Sequence, residues 1–152
     1  MRTARCIAIG VVALGFAATA CEDSLAPESA AFALSQAKWS AHGIDTYTFE
    51  YHRSCGECPS EWAATVRITV VNGQVTAVNR VPTDEPDSFP GFRVTIDSLF
   101  AQVGRTLEGN PYQIQIAYDR EFGYPSYVSV NYDRQMVDDE AAFFVRFLSP
   151  GP

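Results

Sequence analysis

The chain predicts an α+β domain, an antiparallel sheet of about six strands with two helices packed on one face. Three observations carry that expectation. Apolar and polar residues alternate with period two in segment after segment, the mark of strands buried on one side only, whereas a parallel sheet covered on both faces would show continuous apolar runs. Two other segments carry helical spacing, and Asn72-Gly73, the dipeptide favoured where both residues of a tight hairpin turn need positive φ, separates two alternating runs.

Taken in order, Ser29 to His42 is rich in helix-forming alanine, with Phe32 and Trp39 on one face and Gly43 placed as a stop. Tyr47, Phe49 and Tyr51 then alternate with Thr48, Glu50 and His52, and a turn follows over Cys55 to Ser60. Trp62, Ala64, Val66, Ile68 and Val70 form the next apolar row, and Val75 to Asn79 returns from the Asn72-Gly73 turn. A two-residue loop would pair Val70 with Val75 and Ile68 with Ala77, so that the apolar faces agree on both sides. Pro82 to Gly91, with three prolines and three acids, predicts a loop. Ile96, Leu99, Phe100, Val103 and Leu107 predict the second helix, with Thr95 as its cap and Asp97 near the positive end of its dipole. Three alternations complete the chain: Tyr112 to Tyr118, Val128 to Tyr132 and Phe143 to Phe147. The order helix-strand-strand-strand thus occurs twice and admits a duplicated unit.

The first residues carry an address. Arg2 and Arg5 precede a short apolar run that ends in Ala18-Thr19-Ala20-Cys21. A membrane-crossing helix needs about 20 apolar residues, which this run lacks, so residues 1–20 read as a signal peptide. Ala18-Thr19-Ala20 fits an ordinary A-x-A site, and small residues directly before a cysteine also fit a lipoprotein signal, though Ala18 stands where leucine is commoner; both cuts leave Cys21 first. Parity favours the second reading. Cys6 departs with the signal, Cys55 and Cys58 can pair, and acylation of Cys21 removes the odd thiol. Residues 21–28 then form a lipid-anchored tether and residues 29–152 a single domain, exported and held to the cell envelope. Two or more acyl chains anchor a protein stably where one does not.

Removing Arg2 and Arg5 from the 11 basic residues leaves 9 against 18 acidic ones, a net charge of −9. Such a surface repels phosphate backbones and anionic head groups, so nucleic acid is excluded as a partner and the lipid is the membrane contact. The remaining partner is a protein or a small molecule.

Chemistry is harder to find. Cys55 and Cys58 admit a structural disulfide, a redox pair, or metal ligation with His52 and His42. A disulfide this local contributes about 2 kcal/mol by loop-closure arithmetic. A redox pair wants its first cysteine at a helix N-terminus, and a structural zinc wants four ligands in recognisable pairs; the pair here lies between strands and encloses Glu57. Asp84, Glu85 and Asp87, and the run Asp138-Asp139-Glu140, admit calcium ligation or a catalytic carboxylate pair but read as solvated acids, matching no EF-hand calcium loop. With two histidines, no G-x-S-x-G elbow and no phosphate-binding glycine loop, the chain predicts a binding or scaffolding module with no catalytic residue, metal or cofactor; the alternative is a small thiol-disulfide redox lipoprotein. Phe122-Gly123-Tyr124-Pro125 is either a turn whose aromatics fold back onto the sheet or an aromatic surface presented to a partner.

Taken together, Trp39, Tyr47-x-Phe49-x-Tyr51, Cys55/Cys58, Asn72-Gly73-Gln74-Val75, Thr95-Ile96-Asp97-Ser98-Leu99-Phe100, Tyr118-Asp119, Gly123-Tyr124-Pro125 and Asp138-Asp139-Glu140 resemble a group of small bacterial lipoproteins catalogued only as a domain of unknown function. The resemblance spans about residues 36 to 148. It implies a secreted or envelope location and supplies no activity and no catalytic residues.

Overall fold

The computed structural model describes residues 25–56, 58–136 and 139–151; the expected signal peptide (1–20), Cys21 and the first half of the expected tether (21–28) lie outside them, as do Glu57 and Asp138. The elements run α1 (Ala26–His42), β1 (Tyr47–Cys55), β2 (Thr65–Val71), β3 (Gln74–Arg80), α2 (Ile96–Glu108), β4 (Gln113–Tyr118), β5 (Pro125–Asn131) and β6 (Ala141–Pro150). The strands form one six-stranded sheet in the order β3-β2-β1-β6-β5-β4, antiparallel at every pair. Among the described residues no helix is long and apolar enough to cross a membrane.

One face of the sheet carries the core. Tyr47, Phe49 and Tyr51 of β1 meet Val66, Ile68 and Val70 of β2, and Ile96, Leu99, Phe100 and Val103 of α2 close over them. Both helices lie on this face. Trp39 of α1 stands edge-on to Tyr47 with centroids 5.5 Å apart, and Phe32 stands edge-on to Phe100 of α2 at 5.9 Å. The start of α2 is tied from three sides. Thr95 and Ser98 form a capping box, the Ile96 amide donates to the Tyr47 hydroxyl (3.0 Å), and Trp39 Nε1 donates to Asp97 Oδ1 (3.0 Å).

Several expectations shift by a residue or two, each for a local reason. Helix α1 begins at Ala26 rather than Ser29, because Pro27 in a first turn forfeits only an amide that has no helical partner. Trp62 does not belong to β2; residues Ser60–Ala63 form a 3-10 turn and the strand starts at Thr65. The hairpin turns at Asn72 (φ 49°) and Gly73 (φ 71°), and Val70 faces Val75 as the pattern requires. A bulge between Thr69 and Val70 then pairs Ile68 with Val78 instead of Ala77, because β3 carries one extra residue there. A second bulge, in β6 opposite the Thr48–Glu50 stretch, holds Phe147 at φ 53° and leaves it 75% exposed, so Leu148 takes the inward position expected of Phe147.

The twofold order helix-strand-strand-strand is present as connectivity. A rotation carrying β1, β2 and β3 onto β4, β5 and β6 would have to reverse strand direction while keeping strand order, which turns the sheet over. The second helix would then lie on the opposite face, and it does not.

Candidate functional site

The row Tyr47, Phe49, Tyr51 on the core face of β1 has a fourth member, Arg53. An arginine in that phase is unusual, because its neighbours are valines and rings. It lies at the mouth of a cavity of about 100 Å³ between the sheet and α2. Buried Tyr51, Val103, Val128, Val130 and Phe143 form the floor. Arg53, Ser54, Gln102, Thr106 and Tyr132, all at least partly exposed, form the rim.

Small residues make the space. Ala141, opposite Val130 in the β5–β6 pair, leaves a gap where its strand neighbour Phe143 fills the core. Gly91 lets the arginine pass, since a Cβ there would meet Arg53 Nη1 at 3.0 Å and the Phe89 ring more closely still. The loop before α2 therefore has a structural task. Its Phe89 stacks on Trp62 (5.1 Å, 24°) and stands edge-on to Phe92 (5.1 Å, 77°), which in turn reaches Tyr51 at 6.4 Å. Four rings thus run from the surface to the cavity floor, and the Arg53 guanidinium lies 5.9 Å from the centroid of the outermost, Trp62.

The electrostatics are unbalanced. Among the described residues the ion pairs are Arg67 with Glu50 and Asp84, and Arg80 with Asp87; Arg53 has no carboxylate partner. Burial pushes the Tyr51 hydroxyl up to about 12, against the opposing pull of the Arg53 charge, so it stays protonated as a donor beside the cation. Thr106 already donates to the Gln102 carbonyl (3.0 Å). The arrangement offers a fixed positive charge and a neutral hydroxyl above an apolar floor, which is equipment for binding and orientation.

Cys55 and Cys58 form a disulfide at the end of β1, with Cα atoms 5.4 Å apart. Cys55 pairs with Ala141 across β1–β6, so the bridge pins the strand end that carries Arg53 and Ser54. The first cysteine ends a strand and does not open a helix. Among the described residues no group of three or more His, Cys, Asp or Glu is gathered. His42 reaches the Glu121 carbonyl (3.2 Å), while His52 lies beside Thr65 (3.3 Å) on the uncovered face of the sheet. Asp84 and Asp87 are held by the arginines named above, with Asp87 2.7 Å from Arg80.

The segment Phe122-Gly123-Tyr124-Pro125 is not a presented aromatic surface. Tyr124 is 6% exposed and edge-on to Trp39, Pro125 is fully buried at the head of β5, and Phe122 packs half-buried against His42. Gly123, at φ 84°, sits under α1, where a Cβ would lie 2.8 Å from the Ser35 carbonyl oxygen. Lys38 also donates to the Arg120 carbonyl. The turn is the joint that fastens α1, and Gly123 makes the close approach possible.

A family model of unknown function, DUF6174, matches residues 31–150, which takes in the whole sheet, α2 and all of α1 beyond its first five residues. The chain belongs to the DUF6174 family. No curated protein and no solved structure matches it. The family match includes the whole Arg53 cavity and leaves out Cys21, and it assigns neither a role.

Proposed function

We propose that this DUF6174 chain is an exported bacterial envelope lipoprotein, anchored through Cys21, that binds a small ligand and has no catalytic activity of its own. One observation carries the binding part: the Arg53 cavity, with an arginine in the apolar phase of a central strand and no carboxylate partner among the described residues. The address rests on the sequence. Arg2 and Arg5 open a short apolar run ending in Ala18-Thr19-Ala20-Cys21, and the Cys55–Cys58 bridge leaves Cys21 as the odd cysteine after the signal. The acidic surface disfavours nucleic acid as the partner. The non-catalytic part draws support from the histidines, which lie away from the cavity, and from the absence of a nucleophile motif in the chain.

Two measurements test this. In a bacterial host the wild-type chain should fractionate with membranes and Cys21→Ser should not; a bare Cys21 amine and thiol in the mature protein would refute the anchor. A thermal-shift screen of small acids, bases and neutral compounds should raise the melting temperature for at least one class, and Thr106→Trp, which blocks the mouth, should abolish the gain. A screen in which no class stabilises the wild type would refute the binding reading.

A further inference from the structure

We infer that the Arg53 cavity takes a small monocarboxylate, its carboxylate on the Arg53 guanidinium and Tyr51 hydroxyl and its short apolar end among Val103, Val128 and Val130. This rests on the reading of the cavity as a binding site and adds the chemical class. The charge comes first. A guanidinium matches a carboxylate through two parallel N–H donors, and Arg53 is already oriented by Trp62 on one side and Gly91 on the other. Among the described residues neither Arg53 nor the Tyr51 hydroxyl has a hydrogen-bond partner, and both residues line the cavity.

Size and valence narrow the class further. The cavity, about 100 Å³, exceeds the ~10–15 Å³ a single water needs and falls short of the ~150 Å³ that holds benzene. Among the described residues Arg53 is the one charged side chain lining it, in a chain with 18 acidic and 11 basic residues. A dianion would leave one charge unpaired in a negative field, whereas a monoanion is balanced by Arg53 alone. The apolar floor disfavours a purely inorganic ion and rewards a short aliphatic tail. The same chemistry is offered by a free short-chain acid and by the C-terminal carboxylate of a peptide ending in a small residue.

The test is an NMR titration of the 15N-labelled full chain with sodium propionate at neutral pH and constant ionic strength. N-acetylalanine represents the peptide terminus, and sodium phosphate, sodium chloride and n-propanol are the comparison solutes. Propionate should saturably shift the Arg53 side-chain N–H and the amides of Ser54, Val103 and Phe143. Arg53→Gln should weaken binding about tenfold or more, as loss of a charge-assisted pair does. Arg146→Gln, on the opposite face of the sheet, should not change it. Where Arg53→Gln fails to fold, Arg53→Lys keeps the charge without the fork and should still bind several-fold more weakly. N-acetylalanine binding as tightly as propionate identifies a peptide terminus as the source; propionate alone identifies a free acid. Saturable shifts with phosphate or n-propanol but not propionate would overturn the carboxylate and leave the binding site standing. Equal propionate affinity in Arg53→Gln would overturn it as well. The absence of cavity shifts with every solute would overturn both readings.

Discussion

Arg53 and Tyr118 are polar side chains on the core face with opposite consequences. Arg53 stands at a mouth, where solvent and a ligand can reach its charge, so its cost is recoverable through binding. The Tyr118 hydroxyl is buried without a hydrogen-bond partner among the described residues, while its ring stacks on Phe100 (6.5 Å, 14°). Burial alone pushes that hydroxyl up to about 12. Tyr118→Phe keeps the ring and removes the unpaired group, so denaturant unfolding should show unchanged stability or a gain of up to about 1 kcal/mol. A loss of more than that would mean the hydroxyl is paired. Arg53 was legible in the sequence as the fourth member of the Tyr47, Phe49, Tyr51 row. Reading the row only as far as its apolar residues missed it, and the cavity itself was not legible, because it depends on Ala141 and Gly91 arriving from distant parts of the chain.

Among the elements, α1 is the most lightly held. Along its length Trp39 is buried and Phe32 half-buried, while Leu34 is 74% exposed, so its attachment depends on the 119–125 turn and on the Trp39–Asp97 bond. Gly123→Ala combines a φ of 84° with a Cβ placed 2.8 Å from the Ser35 oxygen. It should cost about 2 kcal/mol or more, and hydrogen exchange should show the protection lost chiefly in α1. Uniform loss across the sheet would instead place the defect in the core. The helices and the Asn72-Gly73 turn were readable because caps, stops and positive-φ residues act over a few neighbours. Register was readable only up to the first bulge: Val70 with Val75 followed from the turn, whereas Ile68 with Val78 depends on an extra residue in β3. Phe147 illustrates the same limit, since a bulge takes it out of an alternation that its sequence continues.

At the scale of the whole molecule, buried tyrosines couple the fold to alkaline pH. Tyr47, Tyr51, Tyr118 and Tyr124 are each pushed from 10.0 to about 12, with burial the leading cause, reinforced for Tyr124 by the Asp119 charge and opposed for Tyr47 by its bond from Ile96. The unfolded chain therefore loses these protons first. Their contribution to stability is intact below pH 10 and disappears as pH rises through 12, so circular dichroism should show cooperative unfolding within that window. Retention of the fold above it would contradict the burial of the four rings. The α+β class was readable because one-sided burial imposes alternation on every strand; the binding site was not, because it is a gap among elements and leaves no local pattern. The function of the molecule turns on what occupies that gap. A crystal structure of the protein grown with propionate tests this most directly: it should show a carboxylate paired with the Arg53 guanidinium and an aliphatic end against Val103 and Val130. Arg53 paired with a carboxylate of the chain itself, over a cavity closed to the solute, would contradict it.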